Sequence, residues 1–137
     1  MYIIVAGCGK TGAGLVNKLS ENGNDVVVID REKDNFSQLG DGSNCMTITG
    51  MPIDEDVLKE AGIEKADALA AVTSDDNTNI MVAQIARQLY HVPHVIARTN
   101  CPEKQRALAA MGLRTICSTT LTVESFFNAL KDGGTEK

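Results

Sequence analysis

The stretch Tyr2-Ile3-Ile4-Val5-Ala6-Gly7-Cys8-Gly9-Lys10-Thr11-Gly12 decides the fold. Five apolar, mostly β-branched residues read as a strand. The pattern G-x-G-x-x-G follows, and then a helix over Lys10 to about Asn22 with Leu15, Val16 and Leu19 on one face and Gly23 as its stop. In this pattern Gly7 permits the tight turn, Gly9 admits a pyrophosphate to the backbone, and Gly12 lets helix and strand pack closely. The unpaired N–H groups at the helix start, with its dipole, then face an anion. A second strand, Asp25–Ile29, leads to Asp30, 18 residues beyond Gly12. A carboxylate there accepts hydrogen bonds from both ribose hydroxyls and repels a 2′-phosphate, which disfavours NADP. Gly7, Cys8, Gly9, Lys10, Thr11, Gly12 and Asp30 are therefore the expected nucleotide contacts. Arg31 and Lys10 are either phosphate partners or solvated surface charges.

Outward from this unit, strands and helices alternate. The third strand is Cys45–Thr49, after a short helix at Glu32–Leu39. A turn at Gly50-Met51-Pro52 leads to a helix at Asp54–Ala61, ended by Gly62. Then come a strand at Ala68–Thr73, a long helix from Asp76 to about Tyr90 with Ile80, Ala83, Ile85 and Leu89 apolar, and a strand at His94–Arg98. A helix at Glu103–Met111, a strand at Arg114–Cys117 and a last helix from about Thr119 to Leu130 complete the pattern. Alternation of this kind means βαβ units and a parallel sheet, and strands that are nearly continuous apolar runs are covered on both faces. The expected architecture is α/β: a Rossmann-like, doubly wound, six-stranded parallel sheet of order 3-2-1-4-5-6. Residues 1–130 form one nucleotide-binding domain, and 131–137 read as a polar, frayed tail.

Ligands bind such sheets at the carboxyl ends of the strands, beside the point where strand order reverses. Thr73, after the fourth strand, is placed to touch a bound nucleotide. Ser74 or Asp75 is expected to cap the next helix. Arg98, at the end of the fifth strand, is placed to meet a phosphate or an inter-subunit carboxylate.

Composition sets the limits. The chain has 137 residues, 43% apolar and 23% charged, with net charge −5. A globally acidic chain is not built for nucleic acid, because phosphate binding needs a positive field. No apolar run approaches the ~20 residues that span a bilayer. Cys8, Cys45, Cys101 and Cys117 show no Cys-x-x-Cys spacing and read as buried thiols. His91 and His94 flank Pro93, with no metal-ligand spacing. Hydride transfer needs a proton-passing group paired with a carboxylate, and no such constellation is recognisable. The length holds a cofactor domain but no separate substrate domain, so no enzyme is expected and no catalytic residue is assigned.

In the final helix Val123, Phe126, Phe127 and Leu130 recur at i, i+3, i+4 and i+7. This stripe either packs on its own sheet or crosses to a partner subunit. The second reading is preferred, since the sheet's own layers are already nearly complete and aromatic anchors dominate interfaces.

Taken together, the chain resembles the N-terminal nucleotide-binding domain of the Trk/Ktr potassium-uptake regulators, the RCK (TrkA-N) domain, over about residues 1–130. The carriers are the glycine loop, Val28-Ile29-Asp30, Val57-Leu58-Lys59-Glu60-Ala61-Gly62-Ile63, Ala66-Asp67-Ala68, Val72-Thr73-Ser74-Asp75-Asp76-Asn77-Thr78-Asn79 and Ala97-Arg98. The resemblance implies a non-enzymatic subunit that binds NAD(H) or ATP/ADP. It further implies homodimers, through the crossing last helix, that assemble into a larger ring beneath an integral-membrane potassium transporter. The location it implies is cytoplasmic, at the inner face of the membrane through that partner. Two features depart from the family pattern: Gly50-Met51-Pro52 stands where Gly-Asp is usual, and Ser118-Thr119-Thr120 where some members carry Pro-Glu. The first removes an adenosine-side carboxylate; the second removes a cation ligand. A C-terminal ligand-binding domain common in full regulators is either cut away or absent. The competing readings are a small NAD-dependent oxidoreductase, or the cofactor domain of one, and a regulator of potassium efflux or of a channel.

Overall fold

A computed structural model describes residues 1–40 and 44–133. Six parallel strands, β1 (Tyr2–Ala6), β2 (Asp25–Asp30), β3 (Cys45–Thr49), β4 (Ala68–Ala71), β5 (His94–Thr99) and β6 (Arg114–Cys117), form one sheet in the order β3-β2-β1-β4-β5-β6. This is the order expected from the alternation. The reversal falls between β1 and β4, where Ile3 pairs with Ala68 and Ala6 with Ala71.

Alternate residues of each strand feed two cores. On one face Ile4, Ala6, Val27 and Ile29 pack with α2 (Glu55–Glu60), α3 (Asp76–Gln84) and α4 (Pro102–Ala110) through Leu58, Val82, Ala83 and Leu108. On the other, Ile3, Val5, Val26 and Val28 meet Ala13 and Val16 of α1 (Lys10–Glu21), with Leu15, Leu19 and Phe36 at the margin. That second face is covered only over β1–β3. Across β4–β6 its residues Ala70, Ile96 and Arg98 are half-buried, and Ile116 is 46% exposed. Among the described residues, no element supplies the layer that a doubly wound sheet requires there.

Local rules account for the elements and for the departures. Gly23 (φ +83°) and Gly62 (φ +87°) adopt the left-handed conformation just beyond α1 and α2, as C-terminal stops. Asp54 and Asp75 cap α2 and α3 by accepting from Asp56 N and Thr78 N at 2.9 and 3.0 Å. The segment Lys33–Gln38 is a 3₁₀ helix, and β4 ends at Ala71, leaving Thr73 in the following loop. The long helix expected to reach Tyr90 is α-helical only to Gln84. Ile85–Leu89 form a π turn. That wider turn brings Ala86 into the core and leaves Leu89 60% exposed. Cys8 and Cys117 are buried as expected, but Cys45 and Cys101 are only half-buried, since both lie at strand or helix ends.

The last helix, α5 (Ser118–Lys131), has no buried residue. Val123, Phe126, Phe127 and Leu130 are 60 to 77% exposed. The alternative in which the stripe packs on its own sheet is not what the chain does. The expected frayed tail at 131–137 begins as the last residue of α5, and 134–137 lie outside the described residues.

Candidate functional site

The glycine loop is shaped by backbone contacts. Gly7 has φ +110°, and a Cβ there would stand 2.9 Å from Thr73 N. At Gly12 a Cβ would stand 1.9 Å from the Gly7 carbonyl oxygen, which no side chain tolerates. Gly9 differs: a Cβ there would meet nothing within 4 Å. Its missing side chain serves no packing need and leaves open space in front of the helix. Gly9 is also the N-cap of α1, and no side chain caps its first turn. The free N–H groups of that turn and the positive dipole end therefore face a cleft. Lys10 and Thr11 line the same cleft.

Asp30 is 8% exposed and is tied into the loop. Its Oδ2 accepts from Cys8 N at 2.8 Å; its Oδ1 accepts from Glu32 N at 2.8 Å and from Asn35 Nδ2 at 3.0 Å. A carboxylate offers about four acceptor positions, so Oδ2 retains one. Cys8 itself is fully buried and does not line the cleft; its contribution is this backbone donor. Burial, with the Asp30 carboxylate and Cys45 beside it, pushes the Cys8 thiol up to about 11.

The opposite wall comes from the switch point. Thr73, Ser74, Asp75 and Thr78 face the loop across the cleft, with Arg98 beside them. Asn79, fully buried in the first turns of α3, organises this wall. Its Oδ1 accepts from Thr73 N and Thr73 Oγ1 at 2.9 and 2.7 Å; its Nδ2 donates to the carbonyls of Thr73 and Arg98 at 2.9 and 3.0 Å. One amide thus ties the ends of β4 and β5 together. Asp76 extends the link, accepting from Thr99 Oγ1 at 2.8 Å and Asn100 N at 3.0 Å. Asn100 in turn receives Ser118 Oγ and Thr119 Oγ1, at 2.5 and 2.7 Å, from the first turn of α5. Arg98 Nε is buried and has no hydrogen-bond partner. Thr78 donates two hydrogen bonds to Asp75, through side chain and backbone, and these hold its carboxyl below the usual range.

The cleft between the walls measures about 590 Å³, within the roughly 300–1,000 Å³ of small-molecule sites. Of the residues singled out from sequence, Gly7, Gly9, Lys10, Thr11, Asp30, Arg31, Thr73 and Arg98 line it; Cys8 and Gly12 lie behind it. Asn35, Met51, Pro52 and Thr78 join them without having been singled out as contacts. Asn79 and Asn35 were the residues missed. Asn79 carried a signal: an amide in the first turns of a helix, next to a strand end, competes for backbone groups. Asn35 carried none, since only folding of the 3₁₀ segment brings it to Asp30.

Sheet order, glycine loop and cleft define a doubly wound domain of the dinucleotide-binding class. Residues 3–119 match the family model described as the TrkA-N domain, and the chain belongs to that family. It is 38% identical over 136 residues to the Trk system potassium uptake protein TrkA of Streptomyces coelicolor, covering 99% of this chain and 61% of that protein. Against the protein of the same name from Vibrio alginolyticus it is 37% identical over 103 residues, 75% of this chain and 22% of the relative. The chain therefore spans only part of these relatives. Two solved structures share the fold. The Shewanella denitrificans Kef C-terminal domain in its AMP-bound form has a TM-score of 0.82 at 20% identity, over 99% of this chain and 84% of that one. GsuK bound to ADP has a TM-score of 0.80 at 23% identity, over 96% of this chain and 34% of that one.

Proposed function

We propose that this chain is the nucleotide-sensing part of a regulator of potassium uptake. It binds NAD(H) or ATP/ADP in the cleft and acts without catalysing a reaction. The observation that carries the reading is the cleft's division of labour. At one end the uncapped first turn of α1 stands across from Arg98, whose buried Nε has no partner among the described residues. A buried donor left unsatisfied costs about 1–3 kcal/mol, and an oxyanion at this point removes that cost. At the other end Asp30 keeps one acceptor position for a ribose hydroxyl. The phosphates lie on the loop Gly7–Gly12 with Lys10 and Thr11 at its rim, and Arg31 flanks the ribose end. Among the described lining residues there is no His, Tyr or Cys, and the carboxylate of Asp30 is engaged by three donors, which favours a sensor over an oxidoreductase. Potassium uptake is preferred to efflux because the relatives at 37–38% identity bear that name, whereas the Kef and GsuK likeness is one of fold.

The exposed stripe on α5 belongs, in this reading, to a homodimer. Val123, Phe126, Phe127 and Leu130 supply the apolar layer, and the uncovered face of β4–β6 is the surface that lacks one. Such dimers build the larger ring beneath an integral-membrane potassium transporter, which holds the protein at the cytoplasmic side. A ligand changes that assembly only by binding one of its states more tightly than the other.

The test is a melting-temperature screen with NADH, NAD, ATP and ADP. At a concentration 100 times its dissociation constant a ligand stabilises by about 2.7 kcal/mol, a shift of several degrees. No stabilisation by any of the four at millimolar concentration overturns the reading.

A further inference from the structure

At the amino-terminal edge of the sheet, opposite the nucleotide cleft, lies a second cavity of about 210 Å³. Arg87, His94 and Arg114 line it, with Pro93 and Gly112, and no Asp or Glu is among its lining residues. In a chain of net charge −5 this is a local reversal of sign. We propose that it is an oxyanion site, taking a free phosphate-sized ion or the terminus of a phosphate monoester.

Three features support the assignment. The π turn Ile85–Leu89 carries Arg87, whose Nη1 donates to the Gly112 carbonyl. That bond fixes one edge of the guanidinium and leaves its other N–H groups available. Gly112 adopts φ +81°, and a Cβ there would stand 3.3 Å from Arg87 Nη2, so the glycine makes room for the fork. Arg114 stands at the start of β6, next to Ile96 in register, and the ion pair found among the described residues is a different one, Arg31–Glu32. Among the described residues, neither arginine is paired with a carboxylate.

The size and the donors select the ligand. The cavity is smaller than the roughly 300 Å³ at which drug-sized sites begin, which suits a tetrahedral oxyanion better than a whole nucleotide. Backbone donors are already engaged: Val92 N bonds Ala86 O, His94 N bonds Asp67 O, Gly112 N bonds Ala109 O and Leu113 N bonds Leu108 O. Recognition must come from side chains, and guanidinium groups are the donors best suited to phosphate oxygens.

The test is an amide NMR titration of the isotope-labelled chain with inorganic phosphate, at constant ionic strength held with chloride. Saturable shifts at His94, Gly112, Leu113 and Arg114, separate from any at Gly7–Gly12, are expected. Arg114→Lys keeps the charge but loses the fork, and Arg87→Ala removes the second one; each is expected to weaken phosphate by about tenfold without moving the Gly7–Gly12 shifts. A parallel titration with glycerol 3-phosphate separates the two sources: tighter binding than phosphate assigns a monoester, weaker binding the free ion. Absence of saturable shifts at these amides, or shifts unchanged in both variants, overturns the proposal.

Discussion

The glycine loop and α5 stand at opposite extremes of self-sufficiency. The loop makes most of its contacts within one chain: Gly12 fits against Gly7, Asp30 accepts three donors, and Asn79 locks the facing wall. In α5 two phenylalanines and a leucine are more than 60% exposed, and no residue is buried. In the proposed reading, the α5 stripe is completed by a second chain, whereas the loop is completed by a ligand. The difference teaches where each kind of mutation should act: loop changes on the single chain, α5 changes on its association.

The largest effect is expected at Gly12→Ala. Its Cβ would collide with backbone, so the variant loses about 3 kcal/mol or more, roughly 10 °C in melting temperature, or fails to fold. Gly9→Ala sharpens the contrast. With nothing within 4 Å of the new methyl, stability should stay within about 0.5 kcal/mol, while nucleotide affinity falls about tenfold because the approach is filled. Calorimetry of the folded variant measures both, and equal affinity for wild type and Gly9→Ala would remove the loop as the phosphate contact.

Asn79→Leu comes next. It orphans Thr73 N and the carbonyls of Thr73 and Arg98, and should cost about 2–3 kcal/mol in denaturant unfolding. Phe126→Asp with Phe127→Asp tests the other extreme. The stability of the single chain should change by no more than about 0.5 kcal/mol, yet light scattering should show a dimer turned into a monomer. A wild-type chain that stays monomeric at high concentration breaks the comparison on the α5 side.

A further expected effect is a pH dependence. The Cys8 thiol ionises near 11 when folded, against an ordinary value of 9.0. The folded state holds its proton where the unfolded state has released it. The stabilisation is therefore full below about pH 9 and is lost as pH rises through the window from 9 to about 11. Cys8→Ala should flatten unfolding curves across that window.

Much of this was legible from local chemistry. Strand order follows from six apolar runs separated by helices, because parallel strands need crossovers. The glycine loop and Asp30 were legible because their spacing is set by one strand–turn–helix unit. Thr73 and Arg98 were legible because they lie near the carboxyl ends of β4 and β5, beside the reversal. Asn35 was not, since nothing in its neighbourhood announces the 3₁₀ turn that carries it to Asp30. The end of the long helix was not legible for a related reason: a π turn at Ile85–Leu89 shifts the helical period by one residue, and periodicity assumes that no such shift occurs.

The residues alone settled the things that depend on neighbours in the chain: the alternation of strands and helices, a cap at Ser74 or Asp75, the stops at Gly23 and Gly62, and a stripe on the last helix. Folding settled the things that depend on residues far apart. It bound Asn79 to the ends of two strands, filled three of the acceptor positions of Asp30, and left Arg98 Nε buried without a partner. It also left the β4–β6 face without its second layer. The reason is physical. Propensity and capping act over a few residues, whereas the satisfaction of a buried polar group, or its lack, exists only once distant segments have met.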